Sequence, residues 1–364
     1  MKKLTALILA GAITLSLAAC GGNNGAGSGG NGSSNGTGGN ADDGKYASLD
    51  PVTLTGATSA SPGAAGEQVG LLIAEKLNAI TGGQLVLDYY TNGDLGDDAT
   101  ILRNLQNNDI QLVIAQTAPY VAFVPDTAVF DLPMVFAQYD AATIDKVLNG
   151  DSEFNQKLGE SFNNAGMQLM GILQGATFRL TTANRNLSSL SDFNGMLIRT
   201  MENNNHMAFW QALGAQPSPM TWSDVYFALQ SGNIEAEENA ADTIVGANLH
   251  EVQDYLACTN HILYANVISM NKDAWDSLDP LYQEALEQAI REALAEIGAE
   301  LANIDAENKT TLCENSGSNN MTLIEYDNDF FAEVLALPAV QDLYKNIDDQ
   351  VNGLGTILQN ELAG

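Results

Sequence analysis

The 364-residue sequence predicts an α/β protein of two domains with a long helix running along both. Three observations carry that expectation. Apolar runs of strand length alternate with helix-period runs from Val52 to Ala115, the rhythm of a sheet built from strand–helix units. A second set of short strand candidates follows between Phe178 and Asn239. An unusually long helical pattern then begins at Asp279-Pro280. The length suffices for two domains, each with a core.

Met1 to Lys3 is basic and Leu4 to Ala19 is apolar, too short for a confident membrane span. The run ends Leu17-Ala18-Ala19-Cys20-Gly21, which resembles a bacterial lipoprotein signal, with residues 1–19 removed and Cys20 acylated. Gly21 to Lys45 is almost wholly Gly, Asn, Ser, Ala and Thr and cannot bury a core. Residues 20–49 are therefore expected to form a flexible tether, reaching about 25–30 Å for some 25 residues of such chain. A lipid anchor and a loose tether imply work at the outer face of the cytoplasmic membrane.

Val52 to Ala57 reads as a strand. Gln68 to Ile80 has helical spacing (Val69, Leu72, Ile73, Leu77, Ile80) and Gly82-Gly83 stops it. Gln84 to Tyr90 alternates as a strand. Ala99 to Asn107 is a helix that Asp97 or Asp98 can cap, a simpler role for these aspartates than metal binding. Ile110 to Ala115 is a strand. Helices at Ala141 to Leu148 and Phe154 to Asn164 precede a strand at Met167 to Leu173. Phe178 to Thr182 and Met196 to Thr200 are strands carrying Arg179 and Arg199. Met207 to Leu213 is a helix, Pro217 to Met220 is extended, and Thr221 or Ser223 caps the next helix. Ile234 reads as a short strand before the acidic run Glu235, Glu237, Glu238. Tyr264 to Met270 is a strand. From Pro280, which suits a first helical turn, the spacing holds toward Leu312. About 30 residues at 1.5 Å each span ~45 Å. A strand at Leu323 to Tyr326 and amphipathic helices complete the chain.

Composition excludes some functions. Lys and Arg total 14 against 45 Asp and Glu, a formal net charge of −31. Nucleic acid is not a partner of such a chain, because its binding draws on Lys and Arg at phosphates. Any anion must be held locally, since charges are screened beyond roughly 8 Å at physiological salt. There is no Gly-x-Ser-x-Gly elbow, phosphate loop or dinucleotide glycine pattern. The three histidines, His206, His250 and His261, lack metal-ligand spacing, and no cofactor is expected. Glu237 and Glu238 are adjacent on a strand and point to opposite sides, which disfavours an acid–base pair. Cys258 and Cys313 read as partly buried thiols, with a bridge between them the alternative. Against this background Arg179, Arg185 and Arg199 fall in one stretch. Arg179 and Arg199 sit in or beside strands, where a guanidinium fork suits a carboxylate; Arg185, in a turn-like Asn-Arg-Asn, reads as solvated. Pairing with the chain's own carboxylates is the alternative for each strand arginine.

One ordered set of segments resembles the solute-binding proteins of tripartite ATP-independent periplasmic (TRAP) transporters, in the dicarboxylate and sugar-acid branch. It comprises Arg179-Leu180-Thr181-Thr182 with Asn184-Arg185, Gly195 with Ile198-Arg199, Leu213-Gly214-Ala215, Pro217 to Met220, Asp224-Val225-Tyr226 with Ala228-Leu229-Gln230, and Glu238-Asn239. Gly93 to Asp98, Asp131-Leu132-Pro133 and Thr259-Asn260-His261 look similar too. The resemblance implies a periplasmic-binding-protein-like fold with a cleft and hinge strands. It implies one domain from residues 50–176 plus 265–305 and a second from 177–264 plus 306–364. It further implies that Arg199 clamps the ligand carboxylate with two hydrogen bonds, Arg179 assists, and Asn239 bonds the same group. Trp222 would pack on the ligand, and Gln116, Ser59 and Thr58 would reach it from the first domain. Gln116 and Glu202 point to hydroxyl-bearing ligand groups, favouring a sugar acid over a plain dicarboxylate. The family's Gln-Glu-Asn-Pro reads Glu237-Glu238-Asn239-Ala240 here, and Met201 stands where Pro is common. The implied function is capture of a small organic anion and its delivery to TRAP membrane subunits. A sensory protein of the same fold and an exported enzyme are the alternatives.

Overall fold

The computed structural model describes residues 43–364. The expected signal, the expected lipidation residue Cys20 and most of the expected tether lie outside the described residues. Packing begins ahead of Asp50. The short helix Asp43–Tyr46 buries Tyr46 against Tyr282, ring on ring at 6.1 Å.

Eleven strands are present among the described residues: β1 (Val52–Ala57), β2 (Leu85–Tyr90), β3 (Leu112–Gln116), β4 (Met167–Leu173), β5 (Leu180–Ala183), β6 (Leu197–Thr200), β7 (Gln216–Pro219), β8 (Ala236–Asn239), β9 (Tyr255–Ala257), β10 (Asn266–Asn271) and β11 (Thr322–Ile324). They form a five-stranded sheet ordered β2-β1-β3-β10-β4 and a six-stranded sheet ordered β11-β9-β5-β8-β6-β7. In the first sheet β1 runs parallel to β2 and β3, and β10 runs antiparallel to β3 and β4. The α/β class and the two-domain binding-protein architecture expected from the sequence are what the chain adopts.

The helices follow their apolar spacing. Ala65–Thr81 buries Val69, Ile73 and Leu77, and Gly82 closes it in the left-handed conformation at φ 61. In that region glycine carries no Cβ penalty. Asp97 caps Asp98–Gln106 by accepting from the Thr100 backbone. The long helix is Pro280–Glu314, 35 residues, with Asp279 as its cap. Its first half (Tyr282, Leu286, Ile290) packs in the core under the first sheet, and Leu312 reaches the core of Leu180, Val225 and Leu256 in the second. The last helices, Asn328–Ala336, Pro338–Gln350 and Leu354–Ala363, close the molecule by packing on Asn204–Ala212 and on the helices Ala141–Asn149 and Glu153–Asn164.

The chain crosses between sheets after β4 and again before β10. The two crossings lie side by side: Phe178 bridges Leu263, the Arg179 N–H donates to Ile262 O at 2.9 Å, and the Tyr264 N–H to Thr177 O at 2.9 Å. Space there is tight. A Cβ on Gly175 would stand 2.4 Å from Leu301 Cβ of the long helix. Beside it Ala176 holds φ 50, an uncommon conformation for a residue with a Cβ.

One sequence expectation is corrected. Ile234 is not in a strand; the strand is the acidic run itself, Ala236–Asn239, buried along its whole length. Apolar pattern misled because the buried Glu238 is matched by Arg179, His206 and His261 from other elements. Cys258 and Cys313 are free thiols, Cys258 buried.

Candidate functional site

Arg199 projects from β6 and is 3% exposed. Its Nε and Nη2 both donate to the Met220 carbonyl, at 2.9 and 2.7 Å. Its guanidinium carbon lies 5.5 Å from the centre of the Trp222 ring. Among the described residues no carboxylate comes within ion-pair distance of it. Burial lowers its pKa, which the more distant charges of Glu238, Glu237 and Asp98 only partly offset. A buried guanidinium costs free energy unless its donors are met by acceptors. Here one carbonyl takes two of the N–H groups, and the remaining donors await an acceptor.

Arg179 differs. Just ahead of β5 and 2% exposed, it donates through Nε to Glu238 Oε2, through Nη1 to Gln116 Oε1, and through Nη2 to Glu238 O at 2.9 Å. The Glu238 carboxylate also meets His261 Nε2 at 3.2 Å and His206 Nδ1 at 3.6 Å. His206 Nε2 in turn meets Asp131 Oδ1 at 3.1 Å, and Asp131 Oδ2 accepts from Asn203 and Asn205 at 2.9 and 3.0 Å. Burial pushes the Glu238 carboxyl up, but Arg179 and the two imidazoles outweigh it and hold it well below the usual range. Burial would discharge His206, but Asp131 and Glu238 raise it to about 9. Glu237 is raised to about 7 by burial and by the charge of Glu238. The sequence singled out none of Asp131, His206 and Glu238 for this network. Three buried charged partners far apart in the chain left no local signal.

A cavity of about 530 Å³ lies at the ends of β1, β3, β6 and β8. Arg199, Asn239, Trp222, Gln116, Ser59 and Glu202 line it. Six expected site residues, from distant segments, thus meet in one cleft. Arg179 and Thr58 do not line it. Arg179 stands behind Gln116 and fixes its carboxamide oxygen, which leaves the Gln116 N–H₂ as its free end. Thr58 is buried and shapes its loop, its hydroxyl accepting from the Ala60 N–H at 3.2 Å. Arg185, expected to be solvated, instead pairs with Glu235 at 2.6 Å, does not line the cavity and is about one third exposed. Trp222 joins the two walls of the cleft by donating from Nε1 to Ser61 Oγ at 3.3 Å.

The cavity also contains residues the sequence reading did not assign: Asp98, Ser61, Thr243 and Tyr264. The doubled aspartate held the signal for Asp98, because only one of the pair can cap the helix. Asp97 takes the cap, and the Asp98 carboxylate accepts instead from the Ser59 hydroxyl. Burial raises the Asp98 pKa, against the Ser59 bond and the pull of Arg199. Asn239 is 2% exposed; its Nδ2 reaches Glu237 Oε2 at 3.4 Å and its Oδ1 has no donor. Together these groups make a polar, cation-bearing cleft with Phe123, Trp222 and Tyr264 as its aromatic lining, suited to holding a small acid by its carboxylate. A larger cavity of 680 Å³, between Ala141–Asn149, β4 and the long helix, includes none of them.

Known proteins resemble this chain over most of its length. The model of bacterial extracellular solute-binding proteins, family 7 (DctP), matches residues 57–348. The sialic acid-binding periplasmic protein of Vibrio cholerae is 27% identical over 240 residues, 66% of this chain and 73% of that one. The C4-dicarboxylate-binding periplasmic protein of Rhodobacter capsulatus is 30% identical over 222 residues, 61% of this chain; the chain spans 64% of that relative's length, under two thirds. Among solved structures, a TRAP periplasmic solute-binding protein from Bordetella bronchispeptica, with density assigned to pantoate, superposes with a TM-score of 0.74 at 28% identity, covering 84% of this chain and 98% of that one.

Proposed function

Because the chain belongs to bacterial extracellular solute-binding protein family 7, the DctP family of TRAP solute-binding proteins, we propose that it captures a small organic acid outside the cytoplasm and hands it to TRAP membrane subunits. Arg199 clamps the ligand carboxylate, Asn239 and Trp222 flank it, and Gln116, Ser59 and Glu202 meet the rest of the molecule. Arg179 acts one step back by holding Gln116 and Glu238 in place. Cys20 carries the lipid anchor, and the Gly-rich segment after it lets the binding unit turn above the membrane. The binding lobes are residues 50–176 plus 265–305 and residues 177–264 plus 306–364. They close on the ligand about the paired crossings, and contacts from both lobes make closure favourable.

The observation that carries this reading is Arg199, a buried guanidinium lining a cavity without a carboxylate partner among the described residues. Relatives named for sialic acid and C4-dicarboxylate binding, and a neighbour with pantoate, support an acid as the ligand class. Calorimetric titration of the purified protein with a panel of sugar acids, hydroxy acids and dicarboxylates tests it. Arg199→Ala should abolish detectable binding and Arg199→Lys should weaken it by about 2 kcal/mol or more, since Lys cannot reproduce a two-pronged pair. Unchanged affinity in either variant would overturn the assignment. Cys20→Ser should release the protein from membranes; retention there would refute the anchor.

A further inference from the structure

The charged lining of the cleft is one cation against three carboxylates: Arg199 against Asp97, Asp98 and Glu202. Asp97 is occupied as a helix cap. Glu202 is exposed at the rim, free to turn toward a ligand. Asp98 has a single donor among the described residues, the Ser59 hydroxyl, which leaves its second oxygen open. Asn239 adds a buried oxygen without a donor. Arg179 does not line the cleft and is consumed by Glu238 and Gln116. Once Arg199 has taken a carboxylate, the remaining charged lining is negative with no second cation, and the other donors there, the Gln116 N–H₂ and side-chain hydroxyls, are neutral.

Three ligand classes can be weighed against that inventory. A dicarboxylate brings a second anion against Asp98 and Glu202, where like charges repel and nothing is positioned to neutralise them. A hydroxyl brings one donor for several open acceptors. A protonated amine brings three donors and the opposite charge. The whole chain, at −31, disfavours a dianion in the same direction and is indifferent to a zwitterion.

We propose that the ligand is a zwitterion, a monocarboxylate with a protonated amine at a second position, and that Asp98, with Glu202 at the rim, is the ammonium subsite. This rests on Arg199 as the carboxylate clamp.

Two matched series of acids test it on the purified full-length protein by calorimetry and thermal shift. One is galactarate, galactonate and 6-amino-6-deoxygalactonate; the other is adipate, 6-hydroxyhexanoate and 6-aminohexanoate. In the series that fits the cavity, the aminated acid should bind about tenfold or more tighter than its hydroxyl counterpart, and the diacid weakest. Asp98→Asn should collapse the amine-over-hydroxyl preference to about one, with the melting temperature of the free protein reported alongside to show that the variant is folded. Three results overturn the proposal: the diacid binding as tightly as the aminated acid, a preference that survives Asp98→Asn, or no aminated acid binding at all. Arg199→Ala separates the two levels. If it leaves binding unchanged the clamp fails; if it abolishes binding of every acid while the amine gives no preference, the clamp stands and the ammonium subsite fails.

Discussion

Asp242 caps a helix that belongs to the other sheet: its Oδ2 accepts from the Ala65 N–H at 2.9 Å. Asp242 follows β8 of the six-stranded sheet, and Ala65 opens the helix after β1 of the five-stranded one. That helix has Ala64 at its cap position and no side-chain cap of its own. The other Asp242 oxygen accepts from the Thr243 N–H at 2.6 Å, and Thr243 joins Tyr264, both on the cavity wall, at 2.9 Å. A contact between the sheets is thereby tied to the ligand cavity.

Asp242→Ala should cost about 1 kcal/mol, the usual worth of a helix cap, or roughly 2 °C in melting temperature for a chain this long. It should also weaken ligand binding if, as proposed, the two lobes close on the ligand, because a contact between them is lost. Differential scanning calorimetry and titration read the two effects. Full stability and full affinity together would refute the link.

Arg179 and Arg199 should separate stability from binding. Arg179→Ala strands the Glu238 carboxylate in a site where it is fully buried. Removing one partner of a buried pair typically costs about 3–5 kcal/mol. Arg199→Ala removes a buried cation with no carboxylate of its own, so the free protein should melt close to the wild type while binding disappears. Thermal melts of both variants without ligand check this. Equal destabilisation by the two would mean that Arg199 is also a structural charge.

The fold was legible where apolar spacing dictates it. The first sheet's strands, the helix Ala65–Thr81 and the long helix from Pro280 all follow from periodicity. The cleft was legible through the ordered resemblance, which named residues from five separate segments that do converge. Two parts stayed hidden for physical reasons. The burial of β8 was one, because an acidic run reads as exposed while Glu238 is matched by Arg179, His206 and His261 from elsewhere in the chain. Asp98 reads as a cap, because a doubled aspartate does not show which member the helix uses.

Gly175→Val should disturb the crossing between the sheets. The position where a Cβ would stand is 2.4 Å from Leu301 Cβ, on a helix that cannot easily retreat. Overpacking typically costs about 1–3 kcal/mol. Because Gly175 is beside the paired crossings and outside the cavity, the loss should appear in stability and in the rate of closure ahead of any change in ligand preference. Stopped-flow fluorescence from Trp222, with equilibrium melts alongside, reads both; an unchanged melt would show that the helix yields.

His206 makes stability depend on pH in the alkaline range. Its folded-state pKa is raised from 6.5 to about 9, because Asp131 and Glu238 outweigh its burial. A raised pKa means that the folded state binds the proton more tightly than the unfolded chain does. The contribution is therefore complete below about pH 6.5 and is lost as pH rises through about 9. Its ceiling is about 3 kcal/mol at 1.36 kcal/mol per pKa unit. Glu237, raised to about 7, works in the same direction but from a lower range, its contribution fading between about pH 4.5 and 7. The two are thus separable by window. The melting temperature should fall between pH 7 and 9.5 in the wild type. His206→Gln, which cannot carry the charge, should start lower and lose that slope. Parallel curves for wild type and variant across this window would show that the imidazole between Asp131 and Glu238 is neutral in the folded protein.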